Sequence, residues 1–208
     1  MAKRGGSSNK WMRRHVEDEF VQRAQRDGYR SRAAYKLLEI DKKDKILRSG
    51  LVVVDLGATP GGWCQVAAKK CGIKGRVFAL DILPMVPLEN VTFLEGDFRE
   101  EEVMEQLLAS LENQQVDLVM SDMAPNISGL KAVDQPRSMY LAELALDFAE
   151  QTLKPGGDFL VKIFHGEGFD EFCREARRKF DKVVIRKPKA SRPESREVYL
   201  LGRGFKPC

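Results

Sequence analysis

The stretch DLGATPGGW, residues 55–63, combines an acidic residue, three glycines and an aromatic ring in a way that suits a ligand-binding loop. It follows a short apolar run and leads into a helical pattern, as nucleotide-binding crossovers do. Its spacing differs from GxGxxG, because Thr59 occupies the position where a pyrophosphate needs glycine and Pro60 lacks a backbone N–H. The loop therefore favours a nucleoside without a pyrophosphate. Its candidate contact residues are Asp55, Gly57, Gly61, Gly62 and Trp63.

Two further carboxylates follow apolar runs that read as strands. Asp81 ends GRVFALD, and Asp97 follows VTFLEG. At the carboxyl edge of a parallel sheet, Asp81 could bridge ribose hydroxyls and Asp97 could accept from an adenine amino group. We therefore expect S-adenosylmethionine, an adenosine that carries a sulfonium and an amino-acid tail. A tight strand–helix turn without such a ligand is the alternative.

Short apolar runs alternate with longer helical stretches along the chain. The strand-like runs are LVVVDLG, GRVFALDI, VTFLEGD, VDLVMSDM, GDFLVKIF, KVVIRK and EVYLLGRG, and the helical stretches are 61–71, 99–112, 136–153 and 169–180. This alternation predicts an α/β, Rossmann-like fold with helices on both faces of a mostly parallel seven-stranded sheet. The link between the last two strands is too short for a helical crossover, so we expect an antiparallel edge pair.

Residues 1–30 form a basic N-terminal arm that we expect to be partly disordered, and residues 31–208 form a single domain. The pattern from about Val16 to Ile40 is helical and broken at Gly28, with Ser31 as the expected N-cap of the second piece. Asp134 is expected to cap a helix that begins at Pro136.

The 208 residues contain no apolar run of the length that crosses a membrane and no apolar leader of a secretory signal. Four cysteines are scattered without a CxxC pair, so we expect free thiols, a cytoplasmic location and no metal site. No apolar surface stripe is evident, and we expect a monomer.

The charge is distributed unevenly. Residues 1–36 hold ten Lys and Arg against four Asp and Glu, residues 174–208 hold twelve against four, and the middle is acidic. Basic ends favour a polyanionic partner, although solvated basic tails are the simpler alternative. Trp11 and Tyr29 could stack on bases, although we expect Tyr29 to pack within the fold instead. The basic candidates are Lys3, Arg4, Lys10, Arg13, Arg14, Arg23, Arg26, Arg30, Arg32, Arg186, Lys187, Lys189, Arg192 and Arg196.

The motifs DLGATPGGW, SDMAPN, MYLAELAL, VKIFHGEGFDEF and SREVYL together resemble the FtsJ family of S-adenosylmethionine-dependent RNA ribose methyltransferases. The likeness runs from about Ser31 to the C-terminus, with Thr59 and His165 where the family pattern has alanine and glutamine. It implies the methyltransferase form of the fold. It also implies 2′-O-methylation of a uridine in large-subunit ribosomal RNA, on the assembled subunit.

The fold and the resemblance together indicate four catalytic candidates. Asp122 and Lys162 lie at the ends of two strands, Glu197 opens the last strand, and Lys36 lies in the helix before the first. They match the family's Lys-Asp-Lys-Glu set one by one. Asp122 would also border the cofactor. Lys162 either takes the proton of the 2′-hydroxyl as a base or, as a cation, stabilises the developing oxyanion.

Other interpretations remain open from the sequence. The four charged residues could form ordinary rim salt bridges. The chain could be a ribosome assembly factor that holds S-adenosylmethionine without catalysis. A nucleotide-dependent oxidoreductase is a third possibility, which the glycine spacing disfavours.

Overall fold

The computed structural model describes residues 18–126 and 128–207. Seven strands form one sheet in the order β3-β2-β1-β4-β5-β7-β6. The strands are β1 (Val52–Leu56), β2 (Arg76–Asp81), β3 (Val91–Glu95), β4 (Val116–Ser121), β5 (Leu153–Phe164), β6 (Phe180–Arg186) and β7 (Glu197–Phe205). The helices are α1 (Glu19–Asp27), α2 (Ala33–Asp44), α3 (Gly62–Cys71), α4 (Glu101–Ser110), α5 (Lys131–Thr152) and α6 (Phe169–Lys179).

The pairing confirms the predicted mostly parallel sheet with an antiparallel edge pair. β1 pairs in parallel with β2 and β4, and β4 pairs in parallel with β5. β7 runs antiparallel to both β5 and β6. The carboxyl ends of the parallel strands and the beginning of β7 therefore meet at one edge of the sheet.

Helices cover both faces because the central strands are apolar on both sides. Buried residues of α2 and α3, such as Leu37 and Trp63, pack on one face of the sheet. Leu107 of α4, Phe148 of α5 and Phe172 of α6 pack on the other face. Two hydrophobic cores thus hold the carboxyl edge in place. In the described ranges, no helix combines the length and apolar composition needed to cross a membrane.

The N-terminal segment is attached to this domain by α1. Asp18 caps the helix by accepting from Phe20 N at 3.0 Å, and Gly28 ends it in the left-handed conformation with φ 76°. Ala24 packs with Tyr35 and with Ala190 of the β6–β7 loop. Residues 1–17 of the predicted disordered arm lie outside the described residues, and the division at residue 30 stays a prediction.

Two predicted helix starts are wrong. Arg32, not Ser31, is the N-cap of α2, and no side chain accepts a capping hydrogen bond there. Helix α5 begins at Lys131 rather than at Pro136. Asp134 therefore lies inside the helix, where its carboxylate accepts from the backbone N–H groups of Ser128 and Gly129 in the preceding loop. Pro136 predicted the first helical turn because proline is favoured there, but α5 begins five residues before it.

Candidate active site

Three strands and one helix bring four charged side chains together at the carboxyl edge of the sheet. Asp122 follows the last residue of β4, and Lys162 lies near the end of β5. Because β7 is antiparallel, its first residue Glu197 pairs with Phe164, two residues beyond Lys162. Lys36 reaches the same edge from α2. All four predicted catalytic residues are neighbours.

The four side chains form a chain of alternating charge. Asp122 Oδ1 lies 3.0 Å from Lys162 Nζ and 3.7 Å from Lys36 Nζ. Lys36 Nζ lies 3.0 Å from Glu197 Oε1. Lys162 Nζ also donates to the backbone carbonyl of Asp122. Between 7% and 16% of each side chain is exposed, so these interactions are less screened by water than surface pairs.

The lysines keep both carboxylates ionised. Burial alone would raise the pKa of Asp122, but Lys162, Lys36 and the Tyr199 hydroxyl outweigh burial and hold the pKa below its usual value. Burial likewise opposes ionisation of Glu197, and Lys36 with the Ser191 hydroxyl lowers the pKa of this carboxyl. Both carboxyl groups of the cluster are therefore negatively charged at neutral pH.

Tyr199 is a member of this cluster that the sequence reasoning missed. Its hydroxyl donates to Asp122 Oδ1 at 2.7 Å, and its ring packs 5.7 Å from that of Trp63. Lys36 Nζ lies 5.5 Å from the centre of the Tyr199 ring. Residues two apart in a strand point to the same face, so the spacing of Glu197 and Tyr199 was a usable signal.

A cavity of about 510 Å³ opens beside the cluster at the ends of β1, β2, β3 and β4. Asp122 lines this cavity and so connects it to the lysines. Four predicted cofactor contacts form part of its wall: Gly57, Asp81, Asp97 and Asp122. Phe98, Met123 and Leu141 supply apolar surface. This volume lies in the range of about 300–1,000 Å³ that is typical of small-ligand sites.

The two strand-end carboxylates in the cavity are already oriented. Asp81 Oδ2 accepts from Thr59 N, and its Oδ1 accepts from Leu83 N, both at 2.9 Å. Asp97 is paired with Arg99, which the sequence reasoning missed. The hydrogen bond from Arg99 is the main cause of the lowered pKa of Asp97. Both carboxylates are held in place, and each oxygen of Asp81 keeps a lone pair for a ligand.

Gly57, in the wall of the cavity, is a position where only glycine fits. Its φ is 79°, and a Cβ at this position would lie 2.5 Å from Met123 Cγ. Any larger residue would be strained and would displace a side chain of the cavity wall. The close approach of the β1 loop to Met123 therefore depends on glycine.

The other predicted cofactor contacts are not among the residues that line the cavity. Asp55 is buried, and Cys64 Sγ donates to its Oδ2 at 3.0 Å, while its Oδ1 has no partner within the described ranges. Burial raises the pKa of Asp55 to about 7. Gly61 and Gly62 pack closely against Arg30 and Ser31. Their contact with a cofactor, like that of Asp55, stays a prediction.

Trp63 is also buried and does not line the cavity. Its Nε1 donates to Ala33 O at 2.8 Å, and its ring packs against that of Tyr199. The indole therefore links α3 to α2 and to the charged cluster. Its predicted contact with a cofactor likewise stays a prediction.

The predicted RNA-binding basic residues fall into two groups, those whose side chains have partners within the fold and those whose side chains have none in the described residues. Arg30 donates to the carbonyls of Val86 and Pro87, and Arg32 pairs with Asp18. Arg186 pairs with Asp44, and Lys187 donates to backbone carbonyls of Ser195 and Glu197. Arg23 and Arg26 pair with Asp27. These side chains are engaged within the fold.

Lys189 and Arg196 are exposed and make no side-chain ion pair or hydrogen bond within the part of the chain that is described. Arg192 lies 3.9 Å from Asp18 and is half-buried. Tyr29 packs against Tyr35, with ring centres 5.6 Å apart. The remaining candidates lie outside the described residues: Lys3, Arg4, Lys10, Trp11, Arg13 and Arg14.

The arrangement is suited to positioning a hydroxyl group beside a ligand in the cavity. Lys162 directs two donors at Asp122, which leaves a third for an external oxygen. The buried position strengthens the interaction of this side chain with a negative charge that develops nearby.

Comparison with known proteins identifies the family. The model described as FtsJ-like methyltransferase matches residues 29–205. The chain belongs to this family. The matched range includes all four charged residues of the cluster and the four predicted contacts in the cavity wall.

The relatives in this family cover nearly the whole chain. A protein of Alkalilimnicola ehrlichii named ribosomal RNA large subunit methyltransferase E is 62% identical over 98% of this chain and 97% of its own. The protein of that name from Chromohalobacter salexigens is 62% identical over 96% and 95%. A solved Plasmodium falciparum structure, described as a candidate ribosomal RNA methyltransferase, is 32% identical and covers 85% of this chain and 98% of its own with a TM-score of 0.77.

Proposed function

We propose that this protein transfers a methyl group from S-adenosylmethionine to the ribose 2′-hydroxyl of a uridine in large-subunit ribosomal RNA, within the assembled subunit. The observation that carries this proposal is the position of Asp122. It lines the cavity and also holds Lys162 at 3.0 Å. A methyl donor in the cavity and a hydroxyl beside Lys162 would therefore be neighbours.

The residues of the cavity fit S-adenosylmethionine. Asp81 offers a fixed carboxylate for the ribose hydroxyls, and Asp97 offers one for the adenine amino group. Gly57, at which a Cβ would clash with Met123, allows this part of the cavity wall to pack. Asp122 would border the cofactor near its charged tail. Asp55, Gly61, Gly62 and Trp63 would support the loop from beneath.

The cofactor supplies an electrophilic methyl group, so the protein must mainly orient the acceptor and manage one proton. Lys162, held in position by Asp122, donates to the 2′-oxygen and stabilises the negative charge that develops on it. As the oxygen–carbon bond forms, the sulfur–methyl bond of the donor would break to leave a neutral thioether, and the hydroxyl proton would pass to water. Lys36 and Glu197 position the ribose and its phosphate. This assignment favours the cationic role of Lys162 over that of a general base.

Ribosomal RNA is the proposed substrate because the relatives at about 60% identity carry that activity in their names. The free cations Lys189 and Arg196 flank the cluster on the β6–β7 loop and would contact phosphates. We further propose a monomer that acts in the cytoplasm without a metal ion. The free thiols of Cys64, Cys71 and Cys173 support a reducing compartment.

The proposal is tested with S-adenosylmethionine that carries a labelled methyl group and large subunits from cells that lack this activity. Naked ribosomal RNA, transfer RNA and the Lys162→Ala enzyme are compared in parallel. We expect label at a ribose of subunit RNA and its loss, by about 10²-fold or more, in the variant. Label on transfer RNA alone would overturn the substrate. Tight cofactor binding without any label would instead indicate an assembly factor.

A further inference from the structure

A basic surface lies at the edge of the sheet opposite the charged cluster. Helix α2 leads into β1 through residues 45–51, and α3 leads into β2 through residues 72–75. Both turns therefore lie at the amino ends of the parallel strands. β2 has six residues, and at about 3.3 Å per residue this edge lies about 20 Å from the carboxyl edge. The surface is thus separate from the proposed active site.

The fold joins the two turns into one surface. Asp41 is only 2% exposed, and its carboxylate accepts from Leu47 N at 2.8 Å and lies 3.0 Å from Lys70 Nζ. Gly50 N donates to Cys71 O at 2.8 Å. These contacts hold the ends of α2 and α3 and the turns that follow them side by side.

This surface has a large excess of positive charge. Residues 41–50 and 69–76 hold eight Lys and Arg against two Asp. Both carboxylates are paired, the first with Lys70 and the second with Arg186 of β6. We use the name amino-edge cations for the six exposed residues whose side chains form no hydrogen bond or ion pair in the described ranges: Lys42, Lys43, Lys45, Arg48, Lys69 and Lys74.

Helix stability accounts for only half of the amino-edge cations. Lys42, Lys43 and Lys69 lie in the last turns of α2 and α3, where cations interact favourably with the helix dipole. The other three lie beyond the ends of these helices. Lys45 even occupies the left-handed conformation at the end of α2, with φ 54°, which favours glycine. Like charges crowded on one surface repel each other, and a bound polyanion relieves this repulsion.

The composition of the surface indicates a phosphate backbone as its ligand. Lysine binds phosphate as a compact point charge, and such contacts read no base sequence. The two basic stretches contain no aromatic residue that would stack on a base. Ile73 is exposed, but a single apolar side chain is ordinary on a protein surface and offers little area to a membrane or a protein partner.

We propose that the amino-edge cations bind the phosphate backbone of ribosomal RNA at a second segment, about 20 Å from the segment that is methylated. The inference rests on the proposed function. Folded RNA in an assembled subunit presents phosphates on several sides of a bound protein, and a second contact raises the affinity for the subunit. These residues belong to the acidic middle of the chain, so the charge distribution along the sequence did not reveal the surface.

The test is a triple variant that combines Lys45→Gln, Lys69→Gln and Lys74→Gln. Its binding to large subunits from cells that lack this activity is measured by filter binding without cofactor, at several salt concentrations. We expect the Kd for subunits to rise at least about tenfold at moderate salt. The slope of the logarithm of the binding constant against the logarithm of the salt concentration should become shallower by about 2–3.

The matched control removes the same charge from α6, which covers the other face of the sheet and carries three carboxylates among its cations. It combines Arg174→Gln, Arg177→Gln and Arg178→Gln, all at exposed positions. We expect native subunit binding in the control. The Kd for S-adenosylmethionine and the melting temperature should be native in both triple variants. If the first variant melts early, Lys74→Gln alone should still make the slope shallower by about 0.7–0.9.

Three outcomes separate the proposal from its alternatives. A native slope in the first variant, or an equal loss in the control, would overturn the second RNA contact. Vesicles of phosphatidylglycerol and phosphatidylcholine test a membrane partner. Vesicle binding that only the first variant loses, with native subunit binding, would overturn the RNA contact in favour of a membrane. Absence of methyl transfer by the native enzyme would overturn the proposed function alone, because subunit binding is measured without cofactor.

Discussion

The Tyr199 hydroxyl donates to Asp122 Oδ1 at 2.7 Å, the same oxygen that lies 3.0 Å from Lys162 Nζ. The phenol is fully buried, and burial raises its pKa well above the ordinary value, so it remains a donor across the physiological pH range. A neutral donor and an ammonium thus share one carboxylate oxygen. Tyr199 fixes the rotamer of Asp122, and Asp122 in turn positions Lys162.

Removal of this hydroxyl should weaken catalysis without removing the cofactor site. In Tyr199→Phe we expect a loss of about 1 kcal/mol in the free energy of unfolding, as for one neutral hydrogen bond. We also expect kcat to fall about tenfold, because Asp122 and Lys162 lose a fixed position. Denaturant unfolding and labelled methyl transfer measure the two effects, and calorimetry should show native cofactor binding. Tyr29→Phe, in which the ring packing is kept, is the matched control and should show neither effect. Native kcat in Tyr199→Phe would contradict the positioning role.

The charged cluster should make stability depend on pH in the acid range. The pKa values of Asp122 and Glu197 are lowered in the folded state. Their contribution is therefore present above the unfolded values of about 4 and is lost as the pH falls through the folded values. In Lys36→Met, which removes a cation from both carboxylates, we expect a melting temperature at least about 5 °C lower at pH 7.

The difference in melting temperature between the native protein and Lys36→Met should become smaller below about pH 4. At such pH the carboxyl groups of Asp122 and Glu197 become protonated in the native protein too, so Lys36 no longer has a charged partner. Circular dichroism melts between pH 2.5 and 7 measure it. Lys74→Met, at an exposed position without an ion pair in the described ranges, is the control and should melt like the native protein. A difference that stays constant with pH would show that Lys36 acts through packing alone.

Asp81 should determine cofactor affinity. Its two oxygens are aimed by Thr59 N and Leu83 N, so Asp81→Asn loses a charge and one oriented acceptor. We expect the Kd for S-adenosylmethionine to rise about 10- to 100-fold, the range for a hydrogen bond to a charged group. Calorimetry is the measurement. Asp117→Asn also removes a carboxylate that accepts a strand-end N–H, from Val52, but lies outside the cavity and should leave Kd unchanged. Equal affinities in both variants would exclude Asp81 as a ribose contact.

The two classes of basic residue should respond differently to neutralisation. Lys189→Gln and Arg196→Gln should each lower the affinity for ribosomal RNA. The slope of the logarithm of the binding constant against the logarithm of the salt concentration should become shallower by about 0.7–0.9 in each variant. Both variants should keep the native melting temperature. Arg32→Gln leaves Asp18 without its closest cation and should lower the melting temperature. Filter binding at several salt concentrations separates the classes. A native salt slope in Lys189→Gln would remove this lysine from the RNA contact surface.

Several features of the fold could be predicted because their signals are local. The apolar runs of β1 and β4 and the glycine loop between β1 and α3 are contiguous in the chain. The short link before β7 predicted its antiparallel pairing correctly, and this pairing places Glu197 at the edge where β4 and β5 end. Helix starts were harder to predict. At Ser31 and Pro136 a favourable residue type did not fix the first turn, because packing of α2 and α5 overrides the weak local preference.

The sequence by itself determined the order of strands and helices, the family motifs and the four charged candidates, because periodicity and residue type are properties of the chain. Only the tertiary structure decided which candidates touch, since contacts between Lys36, Asp122 and Glu197 depend on the register of strands far apart in sequence. It also decided that Asp55 and Trp63 are buried outside the cavity wall. Likewise, it decided that Arg30 and Arg32 are engaged within the fold and that Tyr199 joins the cluster. Burial and direction of a side chain arise from packing of the whole domain, and no short motif records them.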